Sequence, residues 1–235
     1  AVGVSALIDN TTGHSNVAVG HTSLFVNTTG HSNTAVGASA LDANTTATNN
    51  TAVGTSALGA NTTGDQNTAV GALALDANTE GTRNTALGVE ALTTCTTGNN
   101  NTALGHTSAA ATTTGAANVS VGYNSLTAGT TASRCVIIGV DAGDAITTGA
   151  DNVAVGQNSL SDCTTGSGNV AVGQDSGENI TTGANNICIG IDCGDTLTTG
   201  DTNILIGNTA RPSASGGANQ ISMGVVVTCV GDNNF

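Results

Sequence analysis

Small, aliphatic and polar residues recur along the chain in one fixed order. An aliphatic residue followed by glycine returns at Gly3, Gly20, Gly37, Gly54, Gly71, Gly88 and Gly105. It continues at Gly122, Gly139, Gly156, Gly173, Gly190, Gly207 and Gly224, and every interval is 17 residues. Fourteen units thus fill the 235 residues without an insertion or a deletion. Such strict register implies that each copy stacks on the last, because one indel would displace every column after it. A representative unit, Asn50 to Gln66, reads NTAVGTSALGANTTGDQ.

The columns of this repeat predict a short strand before each marker glycine. The residue before the glycine is aliphatic throughout (Val53, Leu87, Ile189 and Met223 are examples), the one before that is usually Ala, and the third is Thr, Val or Ile. Strand alternation places the first and third on one face and the Ala on the other. Both faces are apolar, so the Ala face is expected to need a cover from a second chain. Four residues after the glycine, Leu stands in eight units (Leu7, Leu24, Leu41, Leu58, Leu75, Leu92, Leu126, Leu160). Gly143, Gly177 and Gly194 replace it in three units, and in those the position three further on becomes Ile146, Ile180 or Leu197. A volume-conserving exchange of this kind is what a close-packed interior tolerates. The two positions are therefore expected to fill one slot.

Each unit closes with Asn-Thr-Thr-Gly or a variant, read as a turn in which Gly supplies positive φ and Asn and Thr bond the backbone locally. Asn also recurs four residues before the marker glycine (Asn16, Asn33, Asn50, Asn152, Asn169 and others), as stacked amide ladders require. No window has helical periodicity. The expected fold is all-β: a parallel β-solenoid of fourteen coils, each with two short strands and two turns. At the usual strand spacing it would be one rod, residues 1–235, on the order of 65–70 Å long.

The NTAVGxSAL part of the unit resembles the head repeats of trimeric autotransporter adhesins, and related repeats of phage tail fibres and bacterial surface fibres. The resemblance spans all fourteen units. It implies a left-handed parallel β-roll, trimerised along its axis. The present unit is longer than the usual head repeat by the T-T-G turn, and a basic neck, a heptad stalk and a membrane anchor are missing from the sequence.

Composition narrows the function classes. Lys plus Arg number 3 against 16 Asp plus Glu, for a net charge of −13, and aromatics are 1%. Nucleic-acid binding needs a basic footprint and stacking aromatics, so it is excluded, and no apolar run reaches the roughly 20 residues of a membrane-spanning helix. The start at Ala1 without Met or signal peptide is read as a segment of a longer or processed chain. The six cysteines (Cys95, Cys135, Cys163, Cys188, Cys193, Cys229) fit neither a disulfide scaffold nor a zinc pattern and are expected to be small buried side chains.

Candidate sites are few. Asp175, Glu178, Asp192 and Asp195 belong to two adjacent D-x-G-[DE] units and would bring four carboxylates together, a set suited to Ca²⁺. The competing reading is an Asx-turn followed by glycine. His14 and His31, one repeat apart, should stack but make only half of a zinc site. Asn10, Asn27, Asn44 and Asn61 share one sequon column open to glycosylation in a suitable host. No motif of a hydrolase, P-loop or dinucleotide enzyme is present, so no catalytic residue and no cofactor beyond calcium is expected.

The expected role is non-enzymatic: a structural fibre segment of an extracellular, cell-surface or virion appendage, self-associating as a homotrimer and attaching multivalently to surface glycans or receptors. A self-polymerising fibril is the alternative, because open strand edges template further strands. Ice binding is a third reading, weakened because Thr28 and Thr29, like the other turn threonines, are adjacent and would point apart.

Overall fold

A computed structural model describes residues 1–233 and shows an all-β parallel solenoid with the 17-residue period. The chain forms two compact units, Ala1–Ala117 and a second beginning at Asn118. The first contains β1 (Val17–Val19), β2 (Thr34–Val36), β3 (Thr51–Val53), β4 (Thr68–Val70), β5 (Thr85–Leu87) and β6 (Thr102–Leu104). The second contains β7 (Val119–Val121), β8 (Val136–Ile138), β9 (Val153–Val155), β10 (Val170–Val172), β11 (Ile187–Ile189), β12 (Ile204–Ile206) and β13 (Ile221–Met223). Within each unit, successive strands pair in parallel with each residue opposite the one 17 positions on, as Thr51 opposes Thr68 and Val153 opposes Val170. The marker glycine ends each strand: Gly54 has φ +137°, and a β-carbon there would collide with the backbone of Gly71 in the next coil.

Two expectations are corrected. The first concerns the faces of the strand. The central Ala points into its own coil, where Ala35, Ala52, Ala69 and Ala86 are fully buried, and the aliphatic residue before the glycine points outward. The coil is thin. Its far wall approaches so closely that small side chains fill most coils, as the 2.7 Å contact between the hydroxyls of Ser120 and Ser125 shows at equivalent positions. The larger Ile137 and Leu205 are buried there beside Gly143 and Gly194. Ala is small because it is inside, and no second chain is needed to cover it.

The second correction concerns the far wall, which is not a strand. Positions two and four after the marker glycine have left-handed φ, as in Thr22 (53°) and Leu24 (52°) or Ser56 and Leu58 (both 52°), in every coil but the last two, where only position two does. Extended backbone is incompatible with those angles. The alternation still serves inter-coil pairing. Thr22 N–H donates to the Val4 carbonyl of the preceding coil, and Leu24 N–H to the Ala40 carbonyl of the following one. One three-residue strand per coil is the result. Left-handed leucines cost on the order of 1–2 kcal/mol each, offset by burial of the side chain and by a bond made in every coil. The turn glycines Gly13, Gly30 and Gly64 are not left-handed. They are needed for close approach, since a β-carbon at Gly64 would lie 2.6 Å from Asn61 Oδ1 and 2.8 Å from Asn78 Nδ2.

The shared slot is borne out from both sides. A β-carbon at Gly143 would lie 2.8 Å from Ile146 Cδ1, and one at Gly177 would lie 3.1 Å from Ile180 Cδ1. Conversely, in a leucine unit, a β-carbon at Gly129 would lie 2.9 Å from Leu126 Cγ. Leu24, Leu41, Leu58, Ile146, Ile180 and Leu197 are all fully buried. In the third exchanged unit Cys188 Sγ enters the space beside Gly194.

Candidate functional site

Asn side chains run through the interior as two different ladders. In the column four before the marker glycine, each side-chain oxygen accepts the next Asn backbone N–H, as Asn33 Oδ1 does from Asn50 N (2.9 Å), and each amide donates to a turn carbonyl, as Asn50 Nδ2 does to Gly64 O (2.9 Å). The second column is the sequon column. Asn27 donates to Asn10 (2.8 Å), Asn44 to Asn27 (2.7 Å), Asn61 to Asn44 (3.1 Å) and Asn78 to Asn61 (2.7 Å). Asn27, Asn44 and Asn61 have no exposed surface, and Asn10 is half-buried. Their amide nitrogens are inside the coil and already donating, so the folded chain has no room for a glycan on those three. The signal available in the sequence was that the same column also admits Cys95 and Cys163, residues suited to an interior.

The acidic candidates are not assembled into a metal centre. Among the described residues, no group of three or more His, Cys, Asp or Glu side chains is arranged to hold a metal ion. Asp195 is held by the fork of Arg211, Nε to Oδ1 at 2.7 Å and Nη2 to Oδ2 at 2.6 Å. Asp175 accepts from Asn158 Nδ2 and Gln174 Nε2, each at 2.9 Å. Burial raises the Glu178 carboxyl, and the charges of Asp175, Asp162 and Asp192 add to this, so Glu178 and Asp192 do lie in one acidic field. His14 and His31 stack as expected, with ring centroids 4.9 Å apart and planes within 1°. Each faces the serine that follows it, at 3.3 Å and 3.4 Å.

Five of the six cysteines are buried, and all are free thiols. Three of them replace Asn while keeping its hydrogen bond to a turn carbonyl: Cys95 to Gly98 (3.7 Å), Cys135 to Gly149 (3.5 Å) and Cys163 to Gly166 (3.6 Å). Burial pushes the Cys95 and Cys163 thiols up to about 11. They are inert packing groups rather than nucleophiles.

The feature that sequence reasoning placed on the wrong side is the outward face of the sheet. In the first unit it carries a Thr column (Thr34, Thr51, Thr68, Thr85, Thr102) beside an aliphatic column (Val36, Val53, Val70, Leu87, Leu104). In the second unit both columns are aliphatic, from Val119 and Val121 to Ile221 and Met223. In some coils the residue after the marker glycine widens the stripe: Ile138 and Val140 are 38% and 44% exposed, Ile189 and Ile191 38% and 49%, whereas Gln157, Gln174 and Asn208 stand there in others. Isolated exposed aliphatics are ordinary, but a contiguous apolar stripe marks an interaction surface. A shallow cleft of about 400 Å³, lined by Ile221, Met223, Val227, Cys229 and Val230, offers no acid–base pair. No protein-family model matches the chain, and no curated protein is similar to it.

Proposed function

We propose that the chain is a non-enzymatic structural fibre segment whose outward aliphatic stripe packs against further copies of itself, as a homotrimer, in an extracellular or virion appendage. The observation that carries this is the repetition of exposed aliphatic residues at one azimuth of successive coils, as in Val172, Ile189 and Ile191 of the second unit. A second copy has the same 17-residue period, so a contact made at one coil is available at the next. Multivalent attachment to surface glycans or receptors would then come from the exposed turns.

Light scattering across a concentration series tests the assembly. A trimer that dissociates on Val172→Asp with Ile189→Asp supports the proposal. A wild-type chain that stays monomeric at micromolar concentration overturns it, and unbranched filaments by electron microscopy would move the role to a polymerising fibril.

Ice binding has one observation in its favour. The turn threonines are unsuited, since the first of each pair is tied to the next coil, as Thr28 Oγ1 is to Thr45 O at 3.0 Å. The outward columns Thr34–Thr102 and Val36–Leu104 are instead two residues apart and so share one face, which stacks one Thr per coil in register. Thermal hysteresis that vanishes in Thr51→Lys with Thr68→Lys would establish this reading, and freezing behaviour like that of an inert control protein would dismiss it.

A further inference from the structure

Positions two before and three after the marker glycine face each other across the inside of a coil. Ser120 and Ser125 give the separation directly, with their hydroxyl oxygens 2.7 Å apart. In the first unit most of these facing pairs are alanines, such as Ala35 with Ala40, Ala52 with Ala57 and Ala69 with Ala74. In the second unit the coil of β11 places cysteine at both positions, Cys188 and Cys193. Both are buried free thiols in hydrogen-bond contact with each other. Cys193 Sγ also donates to the Leu205 carbonyl at 3.1 Å. Gly194 makes the room, since a β-carbon there would lie 2.7 Å from Cys188 Sγ.

We propose that Cys188 and Cys193 are a disulfide-forming modification site that closes this coil across its own interior. A disulfide needs β-carbons about 3.8 Å apart, and these columns hold facing side-chain tips in contact. The oxidant is a small-molecule disulfide of the glutathione class. The Cys193 thiolate attacks one sulfur of that molecule, forming a mixed disulfide and releasing one small thiolate. The Cys188 thiolate then attacks Cys193 Sγ and releases the second. The chain gives up two electrons and two protons, and the small disulfide is reduced to two thiols. The contact itself orders the steps. The Cys188 hydrogen bond lowers the Cys193 thiol, whereas the Cys193 neighbour and burial raise Cys188 well above the usual range. Because both sulfurs are buried, exchange takes place before the coil closes in folding or during local opening.

The remaining four cysteines lack such a facing partner: Cys95 and Cys163 occupy one amide column and Cys135 the other, and in the coil of the half-buried Cys229 the facing positions are Ser222 and Val227. Oxidation is therefore confined to one pair. The test uses the full chain, both refolded from denaturant in a glutathione redox buffer and treated while folded with oxidised glutathione. Remaining thiols are then blocked, and the chain is cleaved on the N-terminal side of aspartate. Asp192 lies between the two cysteines, so the bond alone would hold their peptides together. The expected result is a mass lower by two hydrogens, one linked pair containing Cys188 and Cys193 that separates on reduction, and the other four cysteines blocked. The oxidised chain should also melt above the reduced one. That difference should vanish in Cys188→Ala with Cys193→Ala, which restores the alanine pair of other coils. Six blocked thiols in both arms, or linkage through any other cysteine, would overturn the proposal.

Discussion

The two units solve one packing problem with different residues. In most coils of the first, a left-handed Leu fills the interior and the turn position beside it is a hydrogen-bonding Asn, as in Leu58 with Asn61. In the second, Leu126 and Leu160 keep the leucine, but in three coils Gly takes the left-handed position and an aliphatic residue stands at the turn, as in Gly143 with Ile146. Where the first unit runs an amide ladder, the second has Cys163, Ile146 and Ile180 in that column, and its strands change from Thr-Ala-Val to Val-x-Val or Ile-x-Ile. The column four before the marker glycine is common to both, with Asn33, Asn50 and Asn67 matched by Asn152, Asn169 and Asn186. The difference teaches which columns are fixed by backbone geometry and which by volume alone. Columns that serve the backbone keep one residue type in nearly every coil, with Cys135 and Gln220 the departures from Asn. Columns that fill space exchange partners freely, provided the sum is held.

The largest effect should come from a column the units share. Gly54→Ala and Gly156→Ala each force a β-carbon onto a residue with φ near +136° and into the backbone of the next coil. Strain of about 1–3 kcal/mol and overpacking of about 1–3 kcal/mol should cost the two units alike. Equal losses in thermal or denaturant midpoints confirm a backbone requirement, and a large inequality would break it.

The exchangeable slot should separate the units. Leu160→Gly removes a buried side chain at a cost of about 2–5 kcal/mol, but it also relieves a left-handed residue at φ 53°. It should therefore be no worse than Leu160→Ala, against the usual order. Cys163→Ile should recover much of the loss, with coupling above the roughly 0.5 kcal/mol scatter of independent sites. The matching pair Leu58→Gly with Asn61→Ile should recover less, since Asn61 donates to Asn44 and accepts from Asn78. Additivity at 160 and 163 in a double-mutant cycle would show that the slot is not shared.

The ladder itself gives a smaller, signed effect. Asn78 Oδ1 is buried without a partner because the next residue in its column is Cys95, whose thiol donates to Gly98 instead. Cys95→Asn should extend the ladder by one rung and raise stability by about 1 kcal/mol, whereas Asn61→Ala should lower it by about 1–3 kcal/mol. Denaturant midpoints for the two variants, moving in opposite directions, would sharpen the contrast between amide and thiol columns.

The smallest effect is electrostatic. Burial raises the carboxyls of Asp42 and Asp76 in the first unit and of Asp144 in the second above 3.8. A raised folded pKa means that the folded state binds the proton more tightly. The resulting stability is fully present below the unfolded value and is lost as pH rises through the folded one. The thermal midpoint should therefore rise modestly between neutral pH and the mildly acidic range, and Asp76→Asn and Asp144→Asn should each flatten part of that rise. A midpoint that falls over this range in the wild type would contradict the assignment.

Much of this was legible in sequence because a stacked repeat writes each tertiary contact into a column. The period, the parallel register and the slot shared by Gly143 and Ile146 needed no coordinates. The candidate sites were less legible. A sequon and a buried ladder use the same residue, and only burial tells Asn44 on a surface from Asn44 donating to Asn27. The acidic cluster failed for a related reason: Arg211, 16 residues from Asp195, neutralises that carboxylate through a side-chain fork that no spacing rule encodes.

The sequence by itself determined that this chain stacks in 17-residue coils, because a strict period of short apolar strands and turns, without indels, keeps every column in register from coil to coil. It also determined the volume inside each coil, because exchanges such as Gly177 with Ile180 hold the sum constant. Only the tertiary structure decided which way the strand faces, since alternation fixes that two sides differ and not which one is inside. The far wall settled it by approaching within the reach of Ala52 and by pairing through left-handed residues such as Ser56 and Leu58. That wall leaves Ala inside and the aliphatic stripe outside.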